Sequence, residues 1–300
     1  MRVATRDVKL TRPQKVLFPD DGITKGEIVE YYRRIAGWIL PQLHDRPLTL
    51  ERYPDGIQGP RIIQKSASAY FPKWIQTATV AKIGGKVRHV VCEDEATLVY
   101  LANLACITPH IWLSRIDKLD YPDQMVFDLD PSGTEFAPVV ATAKATRELM
   151  EEIGLPAYVK TTGSRGLHVV VPLERRENFE SVRAFSREVA ELLVKQNPEQ
   201  RTLEQRKNKR GERVFIDINR NAYAQTIAPA YAVRPRAGAP VSAPLDWNEL
   251  EDEELRPDGF NIRNIFERLK RGPLKSEDPW RDMASSAASL KQASQKLRRL

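Results

Sequence analysis

Cysteine is scarce: Cys92 and Cys106 are the only two in 300 residues. Two thiols cannot build a disulfide framework, and neither stands in a CxxC or Cys/His spacing that would bind zinc. Long apolar runs are missing as well. No stretch approaches the ~18 apolar residues that span a bilayer, and the opening MRVATRDVKL lacks the apolar centre of a secretory signal. There is no internal repeat, no Gly/Ser-rich linker and no GxxxxGK(S/T) phosphate loop. A disulfide scaffold, a helical membrane protein and a P-loop nucleotide binder are therefore not expected. The expectation is a reduced, cytoplasmic protein with no membrane partner.

What is present points elsewhere. Hydrophobic residues make up 41% and charged residues 29%, enough for a sizeable core and against wholesale disorder. Forty-seven basic residues against forty acidic ones give a net charge of +7. Such an excess suits a polyanionic partner, because Lys and Arg release counterions condensed on a phosphate backbone. Thr24 with Glu27 forms a capping box ahead of a helix over Glu27–Leu40, with Pro41 as its stop. Residues 47–92 read as short strands, and Glu95–Ala105 as a helix. The middle alternates: strand Gln124–Asp130, helix Phe136–Ile153 closed by Gly154, strands Ala157–Thr161 and Leu167–Pro172, helix Phe179–Gln196 and strand Arg213–Asn219. A short helix over Ile262–Lys270 follows, and the last twenty residues read as a helix or a frayed tail.

Three segments carry chemistry. Asp128-Leu129-Asp130 ends an apolar strand, so alternation sends both carboxylates to one face. Like charges that close repel unless a cation lies between them, and hard divalent ions with oxygen ligands, magnesium or manganese, are the natural guests. Asp-Pro-Ser-Gly is also good turn chemistry, so Asp130 capping a turn is the plainer alternative. Asp217, between Ile216 and Ile218, is either solvent-facing or aimed at the same site. Thr161-Thr162-Gly163-Ser164-Arg165-Gly166-Leu167-His168 is a glycine turn between strands, where backbone N–H groups, a hydroxyl and a guanidinium can approach phosphate. An ordinary hairpin turn and a core histidine account for it equally.

The order DLDP, TTGSRGLH, then FIDIN with RNAYAQTIAPAYAVRPR resembles the three motifs of the archaeo-eukaryotic primase superfamily. More narrowly, from about residue 8 to about residue 275 the chain is similar to the polymerase domain of bacterial ATP-dependent DNA ligase D. The segments LTRPQKVLFPDDGITKGEIVEYY, RPLTLERYPDGIQGP and NLACITPHIWLSR share that likeness. The resemblance implies that Asp128, Asp130 and Asp217 hold two metal ions, Mn2+ or Mg2+. It implies that Ser164, Arg165 and His168 grip an incoming triphosphate, with Arg52, His110 and Arg234 also at the nucleotide. Lys15 and Lys25 match the family's pocket for the 5′-phosphate at a DNA break. Without the family they read as solvated surface lysines. Two departures stand out: Ile62 and Ile63 replace paired phenylalanines that stack on DNA, and Arg165 stands where lysine is common.

The fold implied is mixed α/β and primase-like: a central, largely antiparallel sheet bearing the acids, packed with an N-terminal α/β module. One primase-polymerase domain over 1–300 is expected, with an N-terminal module at 8–110, a catalytic module at 111–275 and a basic tail at 276–300. The two modules are expected to pack as one unit around a cleft. The implied function is a ribonucleotide-preferring nucleotidyltransferase. It would extend 3′ ends at DNA breaks or gapped duplexes with a 5′-phosphate, in non-homologous end joining, near the bacterial nucleoid, with Ku and a DNA ligase as partners. A stand-alone polymerase and one domain of a longer ligase both suit the chain. Two rivals stand beside it: a metal-dependent phosphoesterase using the same three carboxylates, and a non-catalytic DNA-end scaffold needing only Lys15, Lys25 and the basic surface.

Overall fold

The structure is a computed structural model that describes residues 1–3, 6–271 and 278–300. The expected boundary between catalytic module and tail, at 275/276, lies outside the described residues. The chain divides into two compact units. Unit 1 comprises Met1–Asp117, Thr226–Ser242 and Phe260–Arg268; unit 2 comprises Lys118–Gln225, Ala243–Gly259 and Leu269–Leu300. The first crossing between units falls after Asp117, and two later segments return to unit 1. The cause is strand pairing: Thr226–Ile227 adds to a unit 1 strand at Ile111 and Trp112.

In unit 1, helix α1 (Lys25–Leu43) starts on the expected capping box, with Thr24 accepting from the Glu27 amide and Glu27 reaching back to the Thr24 amide. Its apolar stripe, Ile28, Tyr31, Tyr32, Ile35 and Ile39, is buried. Pro41 does not stop it; the helix runs on to Leu43. A proline this close to the end removes one donor only, and the His44 amide still closes on the Leu40 carbonyl at 2.9 Å. Strands β1 (Leu48–Arg52), β2 (Ile62–Gln64), β3 (Thr77–Lys82) and β4 (Gly85–Val90), helix α2 (Glu95–Asn103) and strand β5 (Cys106–Trp112) follow. The sheet order is Thr226–Ile227, β5, β1, β4, β3; β4 meets β1 only at Leu48, β2 pairs with Leu50–Arg52 of β1, and all pairs are antiparallel. β5, which contains Pro109, lies in a stretch to which the sequence reading assigned no element. The neighbouring Thr226–Ile227 reaches only Ile111 and Trp112, so on that side Pro109 faces no ladder.

Unit 2 is built on β6 (Gln124–Asp130), followed by α3 (Ala137–Ile153), β7 (Tyr158–Thr161), β8 (Leu167–Pro172), α4 (Phe179–Gln196) and β9 (Val214–Asp217). Its six-stranded sheet runs Arg201–Thr202, β9, β6, β8, β7, Pro244–Leu245. Only the Arg201–Thr202 pairing is parallel. β6 lies in the middle and is buried from Gln124 to Leu129, which explains its near-continuous apolar run. α3 ends at Gly154 with φ 83°, the left-handed cap that glycine favours. A short helix, Leu290–Leu297, covers α3 and α4 through Leu290, Ala293 and Leu297. Among the described residues no helix is long and apolar enough to cross a membrane.

Candidate active site

One line of residues crosses the unit 2 sheet. Asp217 on β9 lies directly opposite Asp128 on β6. Asp128 lies opposite His168 on β8, and His168 opposite Lys160 on β7. Directly opposed residues share a sheet face, so acid, acid, imidazole and ammonium form a row, with Asp130 two residues along on the same face. His168 Nε2 is 3.2 Å from Asp128 Oδ1. The Arg220 guanidinium donates towards Asp128 Oδ2 at 3.4 Å and lies 3.7 Å from Asp217 Oδ2. Asp217 Oδ1 accepts from the Asn219 amide at 2.8 Å. The side chain of Asp217 is 13% exposed, so the solvent-facing alternative does not hold.

Electrostatics separate the two acids of β6. Burial pushes the Asp128 carboxyl up, but His168, Arg220 and Lys160 outweigh it and hold Asp128 well below the usual carboxylate range. Asp130 goes the other way. Burial and then the Asp128 charge, with a smaller push from Asp217, raise it to about 6, against the pull of Arg165. Asp130 is the member of the pair that is costly to ionise. A divalent cation would remove that cost, and three carboxylate oxygens are the hard donors that magnesium or manganese takes. Arg220 already spans two of them as a cation, so the residues fit such ions. Among the described residues, one group of three His, Cys, Asp or Glu has its ligand atoms all within 4.8 Å, and it lies elsewhere: His44, Asp45 and Glu93 on unit 1. There His44 pairs with both acids.

The turn between β7 and β8 is closed on itself. The Thr162 amide donates to the Gly166 carbonyl at 3.0 Å, and Thr162 Oγ1 accepts from the Gly166 amide at 3.2 Å. Gly163 takes φ 62°. Gly166 has a steric reason to be glycine: a Cβ there would stand 2.0 Å from the Leu129 carbonyl oxygen. This close approach holds the turn against β6, leaving Ser164 half-buried and Arg165 exposed at its tip. Both line a hollow of about 930 Å3 with Pro131, Phe136, Lys144 and Arg256.

Unit 1 carries the other expected residues in two groups. His110 Nε2 lies 2.8 Å from Glu51 Oε2, and the charge of Arg234 is felt at Glu51. Arg52 is used as a brace: its Nε donates to the Leu104 carbonyl at 3.0 Å and Nη1 to Gln64 Oε1 at 2.6 Å. Lys15 and Lys25 meet at the start of α1, where the Lys25 amide donates to the Lys15 carbonyl at 2.8 Å. Lys15 pairs with exposed Asp55 at 2.8 Å, and Lys25 Nζ donates to Thr11 Oγ1 at 3.0 Å. Burial, then the Arg12 and Lys15 charges, lower the Lys25 ammonium from its ordinary value, the mark of a cationic cluster suited to an anion. Ile62 and Ile63 are each 43% exposed on β2.

Four residues escaped the sequence reading: Glu51, Lys160, Arg220 and Arg12. Lys160 had a signal, since Lys160 and His168 are equally spaced about the hairpin turn. The others depend on contacts that span the sheet or the chain.

A face of paired acids beside a cationic glycine turn is an arrangement chemically suited to phosphoryl groups and the divalent ions that accompany them. The family model of the LigD primase-polymerase domain matches residues 24–280, and the chain belongs to that family, one of nucleotidyltransferases. The multifunctional non-homologous end joining protein LigD of Pseudomonas aeruginosa is 32% identical over 95% of this chain and 34% of its own length. The protein of the same description from Mycolicibacterium smegmatis is 31% identical, over 96% and 38%. The bifunctional LigD of Bacillus subtilis is 30% identical, over 88% and 43%. The chain thus spans about a third to two fifths of the length of these curated relatives. The polymerase domain of Mycobacterium tuberculosis ligase D, solved in complex with DNA, superposes with a TM-score of 0.87 at 29% identity, covering 94% of this chain and 99% of that one. The mixed α/β, largely antiparallel fold expected from the resemblance is the fold observed.

Proposed function

We propose that the chain is a DNA-end primase-polymerase that adds nucleotides to the 3′ end at a break or gap in non-homologous end joining. The observation that carries the reading is the cross-strand register of Asp217 with Asp128, with Asp130 on the same face and the Ser164–Arg165 turn beside it. The names of the relatives, and the DNA bound to the M. tuberculosis domain, support the same role. Two divalent ions, Mn2+ or Mg2+, held by Asp128, Asp130 and Asp217, would neutralise the triphosphate and lower the pKa of the attacking 3′-hydroxyl. Ser164 and Arg165 bind phosphate oxygens through a hydroxyl and a planar fork, and a leaving pyrophosphate meets fixed positive charge there. His168, held by Asp128, is the third phosphate-facing group. Arg220 balances the acids' charge in the absence of metal.

Arg52, His110 and Arg234 are assigned to the nucleotide and Lys15 with Lys25 to the 5′-phosphate of the broken end; Ku and a ligase are the partners that this role requires. Ribonucleotides are the preferred substrate, since a site that hydrogen-bonds the 2′-hydroxyl penalises its loss by roughly five- to hundredfold. Primer extension with ribo- and deoxyribonucleotides and Mn2+ on a 5′-phosphorylated gapped duplex tests the whole reading. Metal-dependent ribonucleotide insertion is expected. Phosphate-ester hydrolysis without insertion would make the chain a phosphoesterase, and DNA binding without either would make it a scaffold.

A further inference from the structure

We propose that Glu51 is a positioning residue that orients His110 and gathers the cationic groups of unit 1 for the nucleotide. The inference rests on the assignment of His110 and Arg234 to the nucleotide. Glu51 lies opposite Thr108 in the β1–β5 ladder, and Thr49 lies opposite His110, so Glu51 and His110 are diagonal neighbours on one sheet face, within reach of long side chains. The Glu51 side chain is 5% exposed and that of His110 18%. Burying a carboxylate is costly unless donors surround it. Here His110 Nε2 approaches Oε2 at 2.8 Å, the Tyr53 hydroxyl donates to Oε1 at 3.1 Å and Arg61 Nη1 lies 3.5 Å from Oε1. Thr108 Oγ1 donates to the Val233 carbonyl at 2.6 Å, which brings the segment bearing Arg234 onto the same face. Burial works against the Glu51 carboxylate, yet His110, Arg234 and Tyr53 together hold it below its ordinary range.

An acid among groups meant for a polyanion repels the substrate, so its presence needs a compensating use. Orientation supplies it. A carboxylate on Nε2 makes that nitrogen a donor and sets the plane of the ring, so the nitrogen turned away from Glu51 has a fixed direction. The two effects give opposite results on substitution. If Glu51 acts only by charge, Glu51→Gln and Glu51→Ala both lower the nucleotide KM. If it positions His110, Glu51→Ala raises KM by about ten- to hundredfold, the loss of one charge-assisted hydrogen bond, while Glu51→Gln, which keeps an acceptor, stays within about threefold.

Single-nucleotide insertion kinetics on a saturating gapped duplex separate these cases, with His110→Ala and the Glu51→Ala/His110→Ala double variant alongside. The expected result is a raised KM with kcat changed less, and a double variant no worse than His110→Ala, because the two residues act as a unit. A raised KM for His110→Ala beside an unchanged or lowered KM for Glu51→Ala overturns the role of Glu51 alone. An unchanged KM for His110→Ala overturns the assignment of His110 itself. If Glu51→Ala does not fold, 15N spectra of the His110 ring in Glu51→Gln and wild type decide: Nε2–H in both supports positioning, and loss of the Nε2–H tautomer with unchanged KM refutes it.

Discussion

Replacing Asp130 by Asn should stabilise the metal-free protein while destroying its activity. The structure raises the Asp130 carboxyl to about 6 from 3.8, through burial and the facing charges of Asp128 and Asp217. A carboxyl with a raised folded-state pKa binds its proton more tightly folded than unfolded. Stability therefore falls as pH rises from about 4 to about 6, and stays lower above that. About two pKa units at ~1.36 kcal/mol each make the ionised Asp130 cost at most about 3 kcal/mol at pH 7.5. Asparagine keeps the shape and removes the charge. Urea unfolding in EDTA at pH 7.5 should show Asp130→Asn more stable than wild type by about 1–3 kcal/mol. The gap should close towards pH 4, where wild-type Asp130 is protonated. Added Mn2+ should raise the wild type more than the variant, because only the wild type relieves a repulsion by binding it. A variant no more stable than wild type at pH 7.5 in EDTA would refute the argument that Asp130 is an ion held at a cost.

Lys15→Ala with Lys25→Ala should erase the preference for a 5′-phosphorylated gap over a 5′-hydroxyl one, an effect of roughly tenfold or more for a charge-assisted contact. Equal losses on both substrates would assign the lysines to general DNA binding. Gly166→Ala should cost at least about 1–3 kcal/mol of stability and lower the affinity for triphosphate, because its Cβ would stand 2.0 Å from the Leu129 carbonyl oxygen and force the turn off β6. Wild-type stability by thermal melting would show that the turn yields freely.

The local features of the chain were legible because their causes are local. The Thr24–Glu27 box, the Gly154 cap and the apolar run into Asp128 and Asp130 all follow from neighbours a few residues apart. Pro41 misled because the cost of a proline depends on whether its missing donor had a partner, and that partner lies a helical turn away. Asp217 was ambiguous until β9 paired with β6, since alternation alone gives two faces without saying which is inside. Glu51 lies in the same segment as Arg52, yet nothing local distinguishes it from a surface acid. Its role depends on His110, 59 residues on, and on a segment that returns to unit 1 after residue 225.

If the acids opposed across β6 and β9 perform the chemistry and do not serve DNA binding, their removal should silence insertion alone. Ribonucleotide insertion with Mn2+ on a 5′-phosphorylated gapped duplex, run beside DNA-binding measurements for Asp128→Ala and Asp217→Ala, tests it most directly. Insertion should be lost in both variants, with affinity for the gapped duplex within about threefold of wild type, because a carboxylate repels a DNA phosphate and so gives binding little to lose. Substantial Mn2+-dependent insertion by either variant would contradict the assignment.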